Sequence, residues 1–342
     1  MTQQIAIIGA GVIGAAIAQE LAGLGEIHVF EAQAAPAQGC TAAALGLLMG
    51  VLSERGAAKR LASLQRYREM QTSLPLPGNA QGILHLYHDP QTWQHVHNLL
   101  PRRQGWGLQP LTPQMVARQF PHLDTTQVVG AVFSPQERQV QPIPLTQQWL
   151  ARAQQQGVQV HYQTPVVRVL PGPPIRLQLP DRLHACDWLV VCAGLGSTQL
   201  GGLTAPFALE PVLGQAIAVV CPELATYPVV YGQETAIVPQ ADGVVWVGAT
   251  VEYSPAEPPL PDPVQLTQLW DRATGLCPLL RGRPWQRQWY GLRPRPVGQP
   301  APRLQRDPQQ PHILWATGHY RNGVLLAPFT AAWVRQVITA RT

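Results

Sequence analysis

Charge is what this sequence has least of. Only 13% of its 342 residues are Asp, Glu, Lys or Arg, about half the share usual in soluble domains. There are 19 acids against 24 Lys and Arg, so the net charge of +5 reflects missing carboxylates more than a wealth of bases. That is no case for nucleic acid, which is recognised by clustered cations. No run of about 18 uninterrupted apolar residues occurs, so no transmembrane segment is expected. The apolar stretch 5–18 is broken by Gly9, Gly11 and Gly14. It also lacks the basic start and small-residue cleavage site of a signal peptide, and a cytoplasmic location is expected. Cys40, Cys186, Cys192, Cys221 and Cys277 include no CxxC pair, and the histidines form no HExxH group. Neither a disulfide framework nor a metal site is therefore expected. With 46% hydrophobic residues the chain is too apolar to be disordered and long enough to bury a core. What it has in excess is Gly (30) and Pro (35). Its length fits two domains or one large α/β unit.

The glycines at the start are ordered. Residues 4–9, Gln-Ile-Ala-Ile-Ile-Gly, predict a short buried strand. Gly9, Gly11 and Gly14 then give GxGxxG. Val12 and Ile13 open a helix in which Ile13, Ile17 and Leu21 recur at helical spacing, and Gly25 closes it. Ile27–Phe30 is a second strand, ending at Glu31 and Ala32. Strand, glycine turn, helix, strand and acid in this order form the context that a dinucleotide fingerprint requires. Gly9 permits the turn, Gly11 lets backbone approach a pyrophosphate and Gly14 permits close helix–strand packing. The helix N-terminus favours the phosphates. Glu31 accepts from ribose hydroxyls and repels a 2′-phosphate, which disfavours NADP.

The fingerprint does not separate FAD from NAD; the far end of the chain does. Residues 313–317, Ile-Leu-Trp-Ala-Thr, read as another buried strand. Gly318, His319, Tyr320, Arg321, Asn322 and Gly323 follow, and then an apolar helix from Val324. One ligand held from both ends of a chain suits the extended FAD molecule, whereas an NAD domain is usually contiguous.

These segments resemble the flavin-dependent amino-acid and amine oxidase superfamily, which includes D-amino-acid, sarcosine and glycine oxidases. The resemblance is strongest to the glycine oxidase branch linked to thiamine biosynthesis. It rests on GAGVIGAAIAQEL at 9–21 with Glu31, GCTAAALGLLMG at 39–50 and VVCAGLGS at 190–197. It continues through IVPQADGVVWVGAT at 237–250, YGLRPRPVG at 290–298 and ATGHYRNGVLLAP at 316–328. The resemblance implies noncovalent FAD; no cysteine follows Cys277, which removes the C-terminal attachment of sarcosine oxidases. It implies that Thr41, Ala43, Ala44, Gly46 and Leu47 line the pyrophosphate, ribityl chain and isoalloxazine edge. Val167 matches the residue whose backbone meets adenine, and Ala193 and Gly194 close over the dinucleotide. Gly318, His319, Arg321, Asn322, Gly323 and Val324 surround the pyrimidine end. Arg293 matches an arginine that pairs with a substrate carboxylate, a task for which a guanidinium fork is suited. From the residues alone, Arg293 is either a substrate contact or a structural ion-pair partner. Arg295 repeats its setting in RPRP, and the family match decides for Arg293. For Arg321 a substrate or flavin-region role and a structural or gating role stay open.

The expected fold is α/β with an added antiparallel sheet: a Rossmann-like FAD-binding domain (1–80, 140–206 and 290–342) interleaved with a mixed or antiparallel substrate domain (81–139 and 207–289). Helices are expected over 54–74, 91–104, 144–156 and 263–280. Strands are expected at 81–87, 157–170 and 183–192, at 128–133, and in several runs within 207–250. Two positions depart from Bacillus-type glycine oxidases: an aromatic residue is replaced by Ala236 and a methionine by Val251. Tyr231, Tyr253 and Tyr290 are unranked candidates for a lost second contact to the carboxylate. The implied reaction is oxidative deamination of glycine or another small amino acid or amine. Hydride passes from the α-carbon to flavin N5, the imine hydrolyses to glyoxylate or a 2-oxo acid plus ammonia, and O2 becomes H2O2. The alternative is a D-amino-acid or N-methyl-amino-acid oxidase or dehydrogenase with another electron acceptor. A homo-oligomer is implied by the family alone.

Overall fold

The computed structural model describes residues 2–253 and 259–340. A six-stranded sheet is assembled from segments far apart in sequence. Its spatial order is Arg303–Arg306, Ile313–Thr317, Trp188–Val191, Gln4–Ile8, Glu26–Phe30 and Gln159–His161. All neighbours pair parallel except Arg303–Arg306, which is antiparallel to Ile313–Thr317. The strand QIAII is apolar throughout because both its faces are covered. Ile5 and Ile7 pack on the helices Val12–Leu21, Pro142–Gln155 and Gly323–Thr339. Ala6 and Ile8 pack on a three-stranded layer of Arg168–Leu170, Ile175–Gln178 and Leu183–Cys186. Each large aliphatic side chain buried this way contributes about 1.5–3 kcal/mol.

The single strand expected over 183–192 is in fact two, in different layers. Leu183–Cys186 joins the three-stranded layer and Trp188–Val191 the central sheet. Asp187 makes the break: its N–H donates to the Gln4 carbonyl and its carboxylate accepts from the Gln4 N–H, each at 2.8 Å. The run 157–170 is likewise split into Gln159–His161 and Arg168–Leu170, with Gln163 between them at φ +51°. Helices occupy Ala57–Met70, Pro90–Leu99, Pro142–Gln155 and Pro263–Leu276, close to the expected ranges. No helix among the described residues is long and apolar enough to cross a membrane.

A second, eight-stranded sheet runs Trp285–Pro296, Leu209–Val220, Val244–Gly248, Thr235–Pro239, Val229–Gly232, Ile83–Tyr87, Gly130–Ser134 and Gln109–Leu111. One face packs Ile217, Val219, Val245 and Val247 against Leu266, Leu269, Ala273 and Leu276 of Pro263–Leu276. The opposite face carries Ala216, Tyr231, Ala236, Trp246 and Trp289 and meets Leu45, Leu47 and Met49. Trp285–Pro296 lies wholly in this sheet, so the boundary expected at 290 falls inside a strand and Arg293 is carried by the eight-stranded sheet.

An imidazole stack lies between the central sheet and the three-stranded layer. His28 Nδ1 is 3.0 Å from His161 Nε2, and the His184 ring is 4.5 Å from that of His28 and 5.0 Å from Phe30. His184 Nε2 is buried without a hydrogen-bond partner. Burial, and then the neighbouring His28 and His161, push His184 down to about 4 from its ordinary 6.5. The unfolded chain therefore binds this proton first. The associated stability is complete above pH 6.5 and is lost as pH falls from there towards 4. His184→Phe is expected to flatten this acid limb. Urea midpoints at about pH 7.5 and about pH 5 should draw together in the variant, and an unchanged gap would exclude His184 as the source.

Candidate active site

The turn after the first strand admits only glycine at two points. Gly9 lies at φ +105°, and a Cβ there would sit 2.9 Å from the Cys192 carbonyl oxygen; at Gly14 it would sit 1.9 Å from the Gly9 carbonyl oxygen. Gly11 precedes the helix Val12–Leu21, which has no side-chain cap at that residue. Instead Thr41 Oγ1 accepts from the Val12 N–H at 3.1 Å. Ile13 is half-buried beside it. Glu31 is fixed by two backbone donors, Ala10 N–H at 2.8 Å and Gln33 N–H at 2.9 Å. Each carboxylate oxygen keeps lone-pair capacity for hydroxyl donors. Ala32, next in the chain, is exposed.

Segment 39–51 leaves this turn and passes along the inner face of the eight-stranded sheet. Trp289 Nε1 donates to the Ala43 carbonyl at 3.1 Å, and a Cβ on Gly291 would meet Ala43 Cβ at 2.4 Å. Ala44 is half-buried. Gly46, at φ +75°, would place a Cβ 1.8 Å from the Val140 carbonyl oxygen. Leu47 pairs with Gln139.

The C-terminal turn closes on the same region. Thr317 Oγ1 donates to the Gly194 carbonyl at 3.1 Å, beside Ala193. Gly318 lies at φ +66° against Pro296. His319 is buried with Nε2 2.8 Å from Thr330 Oγ1, and burial pushes it down to about 3, so its imidazole is neutral. Asn322 leads into the helix Gly323–Thr339, which also lacks a side-chain cap at that residue. Tyr67 OH donates to the Val324 carbonyl at 2.6 Å. Val167 stands apart: it is 53% exposed at the outer layer, its N–H spent on Gln178.

These positions fit FAD on structural grounds. Two helix starts whose own N-cap residues make no side-chain cap bond present N–H groups suited to an anionic ligand, Thr41 taking only the Val12 N–H of the first. Gly9 and Gly14 hold a tight turn in which a Cβ would strike backbone, and Glu31 is preset for ribose hydroxyls. Among the described residues, no group of three or more His, Cys, Asp or Glu is arranged to hold a metal ion.

Arg293 separates itself from Arg295. Its Nη1 donates to the Leu213 and Thr250 carbonyls, each at 3.1 Å. Its guanidinium lies flat on Gly214, where a Cβ would be 2.0 Å from Nη2. Among the described residues no carboxylate is within ion-pair distance of it, and Nη2 and Nε donate to nothing. Burial, followed by the nearby Arg321 charge, makes its cationic form less comfortable. Arg295 instead pairs with Glu210 and lies over the Tyr253 ring. Arg321 is exposed and has no hydrogen bond among the described residues; its charge also reaches Arg60.

The tyrosines are now ranked. Tyr290 follows Trp289, and alternation along the strand turns it away from the cleft; it is 51% exposed. Tyr231 faces the cleft as the cross-strand partner of Ala236, which is 1% exposed. Tyr253 OH is 3.1 Å from Tyr320 OH, beside Arg321. Val251 is half-buried next to Thr250, whose carbonyl holds Arg293. Sequence reasoning missed Trp289, Gly214, Gly291 and the buried pair His85–Glu137. The two glycines carried a signal, since an isolated glycine within a strand marks close backbone approach.

The model of the FAD dependent oxidoreductases matches residues 4–337. The chain belongs to the FAD-dependent oxidoreductase family. As a member of it, the protein is a flavoenzyme whose cofactor is FAD. The sequence is 32% identical to the bifunctional protein ThiO/ThiG of Nostoc sp. (strain PCC 7120), over 99% of this chain and 53% of that protein. It thus spans about half the length of that relative. It is 26% identical to the glycine oxidase of Geobacillus kaustophilus, over 98% of this chain and 92% of that one. The fold superposes on the crystal structure of glycine oxidase from Bacillus cereus with a TM-score of 0.86 and 25% identity, covering 99% of this chain and 96% of that one. The mixed α/β architecture expected from the sequence is the one these flavoenzymes share.

Gly46→Ala is expected to deprive this family member of FAD. The left-handed φ alone costs a side chain about 1–2 kcal/mol, and the Val140 carbonyl must also move. The purified variant should lack the visible flavin absorbance of the wild type; a fully yellow variant would overturn the assignment of this segment to the cofactor.

Proposed function

We propose that this flavoenzyme oxidises glycine or another small amino acid to its imine, which hydrolyses to glyoxylate or a 2-oxo acid and ammonia, with O2 as acceptor and H2O2 as product. The observation that carries the reading is Arg293. It is a cation held in place by two carbonyls, with a free guanidinium edge and no counter-ion among the described residues. A buried cation without a partner is costly, and a substrate carboxylate in bidentate contact relieves that cost. Bound FAD supplies the hydride acceptor.

The protein's share is binding and orientation. Leu213 and Thr250 stop the guanidinium from swinging, so a carboxylate on Nη2 and Nε arrives in one pose. Arg321 adds positive potential at the same end. Trp289, Leu47 and Met49 give the cleft an apolar wall, which favours the neutral amine over the ammonium form. The printed names of the relatives, glycine oxidase among them, support the same substrate class. The second reading, a D-amino-acid or N-methyl-amino-acid substrate with another acceptor, is favoured by Ala236 and Val251, which are smaller than the residues expected there.

Anaerobic mixing with glycine, sarcosine and D-alanine should bleach the flavin for true substrates. Arg293→Ala should weaken reduction by amino acids by about 1.5–3 kcal/mol, or roughly 10–100-fold, while leaving an uncharged amine nearly untouched. Equal losses for both substrate classes would count against a carboxylate contact.

A further inference from the structure

Glu137 is a carboxylate with no solvent exposure in a charge-poor chain. It lies on the turn between the strands Gly130–Ser134 and Arg138–Gln139. Its Oε1 accepts from the Gly50 N–H at 2.5 Å and the Val51 N–H at 2.7 Å. Its Oε2 faces His85 Nε2 at 2.9 Å. His85 is 5% exposed, on the Ile83–Tyr87 strand, directly opposite Tyr231, and their rings meet edge-on at 6.2 Å. Burial pushes Glu137 up, but His85 and the two amides outweigh it and hold the carboxylate below its ordinary range. Arg60 feels the same charge.

The place of the two amides is what matters. Gly50 and Val51 follow Gly46, Leu47 and Met49, the stretch that faces the sheet across the cleft. Gly50 is itself wedged, for a Cβ there would sit 2.9 Å from Arg60 Cβ and 3.4 Å from Leu325 Cδ2. One carboxylate thus joins the flavin-side segment to the substrate-side sheet, at a point where that segment also packs on the C-terminal helix. A buried ion pair is poor value as a mere stabiliser, because apolar residues of similar volume often serve as well or better. Its distinctive property is fixed geometry between the groups it bonds.

We propose that Glu137 is a positioning residue that sets the flavin-edge segment 46–51, and that His85 passes that position to the cleft wall at Tyr231. The proposal rests on the reading of this cleft as the FAD and substrate site. Neither residue touches the reacting atoms. Glu137 fixes where the cofactor edge lies relative to Arg293 on the opposite sheet.

Three variants test this. Glu137→Ala removes the acceptor. Glu137→Gln keeps one: its Oε1 can take both amides while its Nε2 donates to a retautomerised His85. His85→Leu leaves the amide clamp and cuts the link to Tyr231. In FAD-free protein, Glu137→Ala should exchange the Gly50 and Val51 amides at least about tenfold faster than wild type. It should also bind FAD about tenfold or more weakly by flavin fluorescence quenching, and lose about tenfold in kcat with little change in KM. Glu137→Gln should restore FAD affinity and kcat to within about threefold. His85→Leu should bind FAD like wild type yet lose about tenfold in kcat/KM. A folded Glu137→Ala with wild-type exchange and FAD affinity overturns the clamp, and so does a Glu137→Gln as impaired as the alanine variant. A His85→Leu with wild-type kinetics overturns the relay, and it decides this if Glu137→Ala does not fold. If the wild type is reduced by no amine, the proposed reaction fails, while amide exchange and FAD affinity still decide the clamp.

Discussion

One stretch of backbone, residues 39–51, must touch both halves of the molecule at van der Waals distance. It caps the first nucleotide helix through Thr41, then lies against the eight-stranded sheet through Ala43 and Leu45. The sheet admits that approach because it presents glycine at the points of contact. Gly291 leaves room for Ala43, Gly248 for Leu45 Cδ1, which would be 2.8 Å from a Cβ, and Gly46 for the Val140 carbonyl. The approach of this segment to the sheet is therefore set by the Ala43 methyl and the Leu45 tip lying on glycine backbone. Such a contact has two consequences. It varies little, because interiors packed at crystal density do not yield continuously. It also makes the cleft depend on the buried groups that pin the segment: Trp289 on the Ala43 carbonyl, and Glu137 on the amides of Gly50 and Val51.

The electrostatics follow from the scarcity of charge. Arg293 and Arg321 stand close enough to lower the comfort of Arg293 as a cation; the Glu252 charge reaches Arg293, but among the described residues neither arginine has an acid within ion-pair distance. In a highly charged protein a surface or interior carboxylate would readily neutralise such a pair. Here the acids are few and committed elsewhere: Glu31 to Ala10 and Gln33, Glu210 to Arg295, Glu137 to His85. Glu252 is taken up by Gln215 and Thr250. The positive potential at the cleft is therefore left for a ligand, and desolvation strengthens whatever anion enters.

The nucleotide half was legible because its signals are local. GxGxxG, the flanking strands and Glu31 lie within one continuous stretch, and their roles follow from turn geometry and helix polarity. The strands at 183–192 were misread as one because apolar residues run on both sides of Asp187; Asp187, which divides them, acts through Gln4 in the N-terminal strand. The boundary at 290 failed for a related reason. Trp285–Pro296 pairs along its length with Leu209–Val220, and pairing between distant strands leaves no mark in either one. The RPRP repeat is the sharpest case. Arg293 and Arg295 are each followed by a proline, yet one lies over Gly214 and the other opposite Glu210. Only cross-strand register tells them apart. His85 and Glu137 were invisible for the same reason, each being an ordinary polar residue until the sheet sets them together.

Register also decides what the loss of an aromatic at Ala236 means. A single row crosses the inner face from Tyr231 through Ala236, Gly248 and Ala216 to Trp289. Arg293 lies over Gly214, in the same strand as Ala216. Tyr231 is three strands away, about 14 Å at the usual strand spacing. A small substrate anchored by its carboxylate at Arg293 cannot also offer that carboxylate to Tyr231. On the proposed reading, a second hydroxyl at the carboxylate end falls to the Tyr253–Tyr320 pair, which sits beside Arg321 and whose rings flank Arg295. The far end of the cleft is then a floor of small residues between two aromatic rings, with Leu45 set into it. Such a floor offers no polar group that a substrate side chain must satisfy, so it discriminates by volume alone, and volume in an apolar pocket separates neighbouring homologues by only about 1–3 kcal/mol per methylene. On the proposed reading, selection of the carboxylate is therefore strict in this architecture, and selection among small side chains is graded.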